Sequence, residues 1–418
     1  MQRIKNHPLV ASLLSLEGNP RVLVLMEPLW GIPMGLIAPF ITLYMYTQGV
    51  DDAQIGLIIS ISVIFKVLFS FGGGIITDKL GRKKTTNLGD FFGWTVACTM
   101  WALSNNFWWF LAATLMNSFE QVNQTAWQCL LVEDAKEKDM ASMYTWIHIC
   151  ALLAVFFAPI SGIFIAKYSL VPVMRVLYAI FAFNMFIKVL ITIRFTVETK
   201  QGKIRKEQTK GVPLSKMVWE YKRVFPLLFK DANMVRILIL TILLSISGMV
   251  TSTFFGLYAN LNLGISQGLL TVFPILRALI MLVFFFGLAK VLTRFGDKKP
   301  LMVGLILSIF ALTMLIFSPK GHIWPLIIYT LVDAVANCLV MPRKDSILMI
   351  GIDKEERARV LALVVGIAFI CSAPFGYLSG LLSQMDRRLP FVFAIALYIL
   401  CAITMAKYKD VPKDIETP

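Results

Sequence analysis

Charge is scarce in this chain. Asp, Glu, Lys and Arg make up only 16% of its 418 residues, too little for a soluble domain of that size. Histidine is rarer still: His7, His148 and His322 are scattered, and no nucleophile–His–acid set forms around them. Nothing therefore points to an enzyme. The six cysteines (Cys98, Cys129, Cys150, Cys338, Cys371, Cys401) all fall in apolar runs and none belongs to a Cys-x-x-Cys pair. That leaves no metal site and no disulfide framework, only small buried apolar side chains. No G-x-x-x-x-G-K-[ST] loop is present, so ATP does not drive the protein by that route. No cofactor is implied. The strict alternation of barrel strands is missing as well. No cleavable signal peptide is visible, because the opening eight residues precede too short an apolar run.

What is present is apolar: 57% of residues are hydrophobic and the mean hydropathy is +0.73. Runs long enough to span a bilayer recur from end to end. Only helices or closed barrels satisfy their backbone in lipid, so we read an all-α membrane protein. Twelve spans are expected near 22–47, 53–77, 85–104, 107–131, 143–166, 171–194, 234–260, 266–292, 300–318, 323–350, 360–383 and 389–408. The net charge of +15 sits in alternate loops, the pattern of a positive-inside membrane protein and not of a nucleic-acid binder. Both termini are accordingly expected in the cytoplasm, with the chain in the plasma membrane. Five regions follow: an N-terminal segment, 1–20, with a possible interfacial helix over 8–18; a six-helix bundle, 21–194; a basic cytoplasmic linker, 195–233; a second six-helix bundle, 234–408; and a tail, 409–418.

The two bundles look duplicated. Ala158-Pro159 is echoed 215 residues later by Ala373-Pro374, and Tyr178-Ala-Ile180 by Phe393-Ala-Ile395. Leu43-Tyr44 and Leu257-Tyr258 agree within one residue of that offset. We read both Ala-Pro elements as close-packing kinks. Between spans two and three lies Gly72-Gly-Gly-Ile-Ile-Thr-Asp78-Lys79-Leu-Gly81-Arg82-Lys83-Lys84, a tight cationic turn held in water by its bases. A weaker copy between spans eight and nine has Thr293 in place of Asp78 and Asp297 in place of Arg82.

This turn resembles the cytoplasmic loop signature of the major facilitator superfamily, with Gly74, Asp78, Gly81, Arg82, Lys83 and Lys84 matching and Lys79 replacing the usual Arg. The resemblance implies two pseudo-symmetric six-helix bundles around a central site, lined by spans one, four, seven and ten. It also implies a cytoplasmic gate. Arg82 would pair with Glu133 or Asp134, and Asp78 would face residues near 359–361.

An ionisable group deep in a span is a functional candidate, since alone in hydrocarbon it costs on the order of 3 kcal/mol or more. Lys66, Glu120, Arg277 and Asp333 lie near the middle of spans two, four, eight and ten. Glu120 and Asp333 read as proton or cation carriers. Lys66 and Arg277 read equally as ligands for an anionic substrate and as locked ion-pair partners. In span four Asn117, Glu120, Gln121, Gln124 and Gln128 recur at steps of three and four, one helix face, flanked by Asn123 and Trp127. Span ten repeats the theme with Asp333 and Asn337. Interhelical hydrogen bonding is the plainer role for the amides. Glu27, placed in the first turns of span one before Pro28, is a gate or proton-path candidate, or else a carboxylate favoured by the helix dipole. Lys188 and Arg194, toward the cytoplasmic end of span six, are expected to snorkel to the interface.

Together these features read as a secondary active transporter of a small polar or charged organic solute, coupled to protons and working by alternating access. The alternative is an exporter or flippase of amphipathic drugs or lipids. The expected partners are the solute, H+ and membrane lipids, with no nucleic acid and no second copy of the chain.

Overall fold

A computed structural model describes residues 16–135, 143, 146–147, 149–151, 153–210, 225–229, 231–287, 298–350 and 357–408. Most of the N-terminal segment, the second copy of the loop motif, residues 211–224 of the linker and the tail therefore lie outside the described residues.

Among the described residues the helices are consistent with the twelve expected spans. Span one is Gly18–Thr47 and span two Asp52–Leu80. Span three runs from Arg82–Asp90 through a π-helical turn, Phe91–Val96, to Ala97–Leu103. Span four is split into Phe107–Asn117 and Glu120–Val132. Span five is described most continuously over Ala158–Tyr168, and span six is Leu170–Phe195. Span seven is Ala232–Asn262. Spans eight to twelve are Val272–Gly287, Lys298–Ile316, Trp324–Ile350, Arg357–Met385 and Leu389–Ala406. Among the described residues ten helices are long and apolar enough to cross a membrane. Spans three and four are not in that set: the first opens on Arg-Lys-Lys-Thr-Thr-Asn, and the second carries Glu120 and several amides beside its break.

The chain divides into two compact units. The first is Met1–Val218 with Gln267–Val272, and the second is Trp219–Ser266 with Phe273–Pro418. In the first, span six packs on spans one and three, and span four on spans two and three. In the second, span seven packs on spans eleven and twelve, and span nine on spans ten and twelve. Each unit closes its own core. Leu23 and Val24 of span one meet Leu130 and Leu131 of span four, and Phe284 of span eight meets Cys338 and Leu339 of span ten.

One bond occurs in both units. The buried Tyr44 hydroxyl donates to the carbonyl of Trp101 at 3.1 Å, and the buried Tyr258 hydroxyl donates to that of Leu315 at 3.3 Å. Both bonds join residues 57 positions apart. Each satisfies a polar group that hydrocarbon would leave unpaired. The ring against Tyr258 is Phe391, two residues ahead of the Phe393 that the sequence aligns with Tyr178. The two Ala-Pro elements differ locally: Pro159 sits in the first turn of a helix, and Pro374 lies inside one.

Close helix contacts rest on glycine. A Cβ on Gly304 of span nine would meet Val340 at 2.7 Å, Leu339 at 2.9 Å and the Ala336 carbonyl at 3.0 Å, all on span ten. Gly248 of span seven has open space in that direction. Gly304→Val should therefore destabilise the protein by about 1–3 kcal/mol through overpacking, whereas Gly248→Ala should be neutral or mildly stabilising. Thermal unfolding of the two purified variants checks this, and equal melting temperatures would contradict the packing assigned to Gly304.

Candidate functional site

The first unit holds a polar cavity of about 150 Å³. Three carboxyls, Glu27 of span one, Asp90 of span three and Glu120 of span four, line it with one ammonium, Lys188 of span six. Trp30, Trp94 and Trp127 supply apolar walls. Lys188 Nζ stands 3.5 Å from Asp90 Oδ2, and their side chains are 5% and 1% exposed. Asn123 Nδ2 donates to Asp90 Oδ1 at 2.6 Å. That contact depends on Gly89, because a Cβ there would strike Asn123. Several buried polar atoms of its lining residues have no hydrogen-bond partner among the described residues: Glu27 Oε2, Asn123 Oδ1 and Trp127 Nε1. Asp90 Oδ2 has only its ion-pair contact. Buried groups in that state need water or a ligand.

This cluster corrects several expectations. Lys188 does not snorkel, because Asp90 lies beside it in the packed interior. Asp90 is a further site residue, whose only sequence signal is an acid directly ahead of the apolar run that begins at Phe91. Glu27 is not in the first turns of its helix, which begins at Gly18. The polar stripe of span four is interrupted: Glu120, Gln124 and Gln128 share a face of one helix, and Asn117 lies across a break from them. The turn at Ser118–Phe119 breaks the helix, and Asn117 is buried, donating to the Gly93 carbonyl at 2.8 Å. Glu120 and Gln124 line the cavity, joined by Asn123 and Trp127. Gln121 does not, since its backbone packs against Gly73, and Gln128 is exposed. Lys66 is half-buried and interacts electrostatically with Glu120.

The second unit has its own cavity, about 260 Å³. Arg277 of span eight forms an ion pair there with Asp333 of span ten. Asp333 is 9% exposed and Arg277 44%, so the acid is held while the guanidinium keeps an open side. Asn337 Nδ2 donates to the Asp333 backbone carbonyl at 2.8 Å, tying the amide to its own helix. Phe255, Phe273, Tyr329, Tyr398 and Met341 complete the wall. Lys66 and Glu120, on spans two and four, are the equivalent base and acid of the first unit, whose ion pair is instead Lys188–Asp90 on spans six and three.

A third cluster sits at the turn between spans two and three. Gly81 has φ +92°, a left-handed conformation, and a Cβ there would strike the Glu198 carboxylate. Arg82, only 5% exposed, donates through Nε to both Glu133 oxygens at 3.0 Å and through Nη1 to Asp78 at 2.9 Å. Arg82 thus pairs with Glu133, while Asp134 accepts from the Lys200 backbone N–H. The linker takes part. Glu198 accepts from the backbone N–H groups of Arg82 and Lys83, at 2.9 and 3.2 Å. Thr199 caps the helix Lys200–Gln208 and donates to Glu133. Arg205 takes the second Asp78 oxygen at 2.9 Å. This part of the linker is docked on the first unit, not a solvated tether. The side chains of Arg359 and Leu361, near the expected partner of Asp78, lie outside the described ones.

Known proteins agree with this architecture. The family model described as Major Facilitator Superfamily matches residues 29–343 and, again, 237–418. The chain belongs to the major facilitator superfamily. It is a multi-pass membrane transporter and not an enzyme. YqjV of Bacillus subtilis (strain 168), called an uncharacterized MFS-type transporter, is 30% identical over 128 residues, 30% of this chain and 31% of that one. The match thus spans about a third of that relative's length. The solved nucleoside transporter NupG superimposes with a TM-score of 0.73 at 18% identity, covering 94% of this chain and 100% of that one. A bacterial homolog of the human lysosomal transporter Spinster gives 0.70 at 15% identity, covering 98% and 100%. The human organic anion transporter MFSD10 gives 0.59 at 14%, covering 96% and 100%. At these identities the likeness is one of fold.

Lys188 serves two or more carboxyls at once, so its loss should exceed that of any single partner. Lys188→Met should destabilise the protein by on the order of 3–5 kcal/mol, leaving acids uncompensated in the interior. Asp90→Asn should cost less, because Glu27 remains to face the ammonium. Thermal unfolding at neutral pH checks the order, and a milder effect of Lys188→Met would refute it.

Proposed function

We propose that this superfamily member is a proton-coupled secondary transporter of a small polar or charged organic solute, working by alternating access of its two helix bundles. The observation that carries the reading is the charge balance of the first cavity. Among the described residues Glu27, Asp90 and Glu120 line it with one ammonium, Lys188, and Lys66 acts on Glu120 from nearby. Three carboxylates against two cations leave one negative charge uncompensated in a weakly polarisable interior. A proton or a cationic group on the solute makes up the difference, and loading and release of that proton would couple transport to a gradient. Glu120 and Asp333 keep their roles as leading carriers, with Asp90 and Glu27 added. Lys66 and Arg277 would meet an anionic part of the solute. Unpartnered polar atoms penalise an apolar guest, which supports a polar one. The basic turn at Arg82 is assigned to the cytoplasmic side, with both termini there and the chain in the plasma membrane.

A second reading rests on the other cavity. Its aromatic and methionine wall around Arg277 suits an amphipathic anion, as an exporter or flippase would need.

Proteoliposomes separate the two. A thermal-shift screen of nucleosides, sugars, amines, organic acids and amphipathic dyes names the ligand first, because a bound ligand raises apparent stability. An imposed pH gradient should then drive accumulation of a polar hit. Glu120→Gln, Asp90→Asn and Asp333→Asn should each lower that accumulation at least tenfold while leaving counterflow exchange measurable. Wild-type gradient-driven rates in all three would overturn proton coupling, and stabilisation by amphipathic dyes alone would favour the second reading.

A further inference from the structure

A third cavity belongs to neither charged site. It is a groove of about 710 Å³ on the first unit, where spans three and six meet the linker helix Lys200–Gln208. Its wall is apolar: Phe91 from span three and Phe186, Val189, Leu190 and Ile193 from span six. Phe186, Leu190 and Ile193 are 41%, 49% and 50% exposed, so the wall is not covered by the described protein. Its rim is cationic. Lys83 and Lys84 open span three, and Lys203 and Lys206 stand three residues apart on the linker helix. Among the described residues the one acid at the rim, Glu198, is already engaged by the N–H groups of Arg82 and Lys83. Lys83 Nζ is tied to the Thr196 carbonyl at 2.7 Å. Lys84, Lys203 and Lys206 are exposed and form no ion pair among the described residues.

We propose that this groove binds an anionic phospholipid, its phosphate among Lys84, Lys203 and Lys206 and its acyl chains along span six. Two features select this occupant. Four ammoniums against one occupied carboxylate call for an anion. The apolar wall continuing from that rim along a membrane-spanning helix calls for hydrocarbon, which a free phosphate or soluble metabolite does not supply. The lysines lie at the end of the spans, the depth of a headgroup, and their stems can run along the wall. A lipid held there touches both the bundle and the linker helix. It therefore reinforces the docking of Lys200–Gln208 that the Arg205–Asp78 pair begins.

The test uses the full-length purified protein, delipidated in detergent, with phosphatidylglycerol, phosphatidylcholine or inorganic phosphate added. Phosphatidylglycerol should raise the melting temperature and appear as a retained adduct in native mass spectrometry, and the other two should do neither. The triple variant Lys84→Gln/Lys203→Gln/Lys206→Gln should weaken phosphatidylglycerol binding on the order of 100-fold. A control triple at Lys167, Lys320 and Lys407, none of which lines the groove, should bind as the wild type does. Leu190→Ser/Ile193→Ser should shorten retention while leaving the rim intact. Equal response to phosphatidylcholine, an equal shift with inorganic phosphate, equal loss in the control triple, or no effect of the wall variant would each overturn the proposal.

Discussion

An ion inside hydrocarbon must bring its own compensation, and the first unit is arranged around that requirement. Asp90 and Lys188 come from spans three and six and are almost wholly enclosed. Loss of Lys188 would be severe, because it would leave Asp90 uncompensated in the interior. The packing around them follows from keeping them together. Gly89 lets span four come close enough for Asn123 to reach Asp90. Gly93 lets the same helix turn at its break, with Glu120 and its backbone set against span three. The unpartnered oxygens that remain form the part of the interior where a second molecule is favoured.

The cationic turn applies the same rule at the end of the bundle. Arg82 is nearly as enclosed as Lys188 but has a fuller set of partners, with Asp78 and Glu133 on its guanidinium and Glu198 on its backbone. A guanidinium can hold two carboxylates in one plane, which an ammonium cannot. The contacts tie span two, span four and the linker helix to one side chain. Every partner described lies within the first unit, so the cluster acts first as a fastening of that unit's own loops.

Much of this was legible in the sequence. Hydropathy located the ten long apolar helices, and the loop signature located Arg82 and its acid. The internal repeat identified Tyr44 and Tyr258, which make the same bond in their own units. What could not be read came from neighbours. Lys188 looks peripheral when depth is counted along span six alone, yet burial is set by spans one and three. Asp90 follows a run of polar residues and so resembles the ragged start of a helix. The stripe on span four assumed an unbroken period. The turn at Ser118–Phe119 turns Asn123 and Trp127 toward the cavity and sends Asn117 into a helix contact. Arg205 lies in a polar stretch with no apolar period, and only its tertiary contact reveals its role.

The paired tyrosine bonds have a consequence for how the chain is made. Each reaches back only 57 residues and stays inside its own unit. The first can therefore close while the second half is still being synthesised, since bundles of this kind form in order from the amino terminus. Loss of the Tyr44 hydroxyl would act during insertion from the ribosome, before the second unit exists, and loss of the Tyr258 hydroxyl would act on a chain whose first half is already in place.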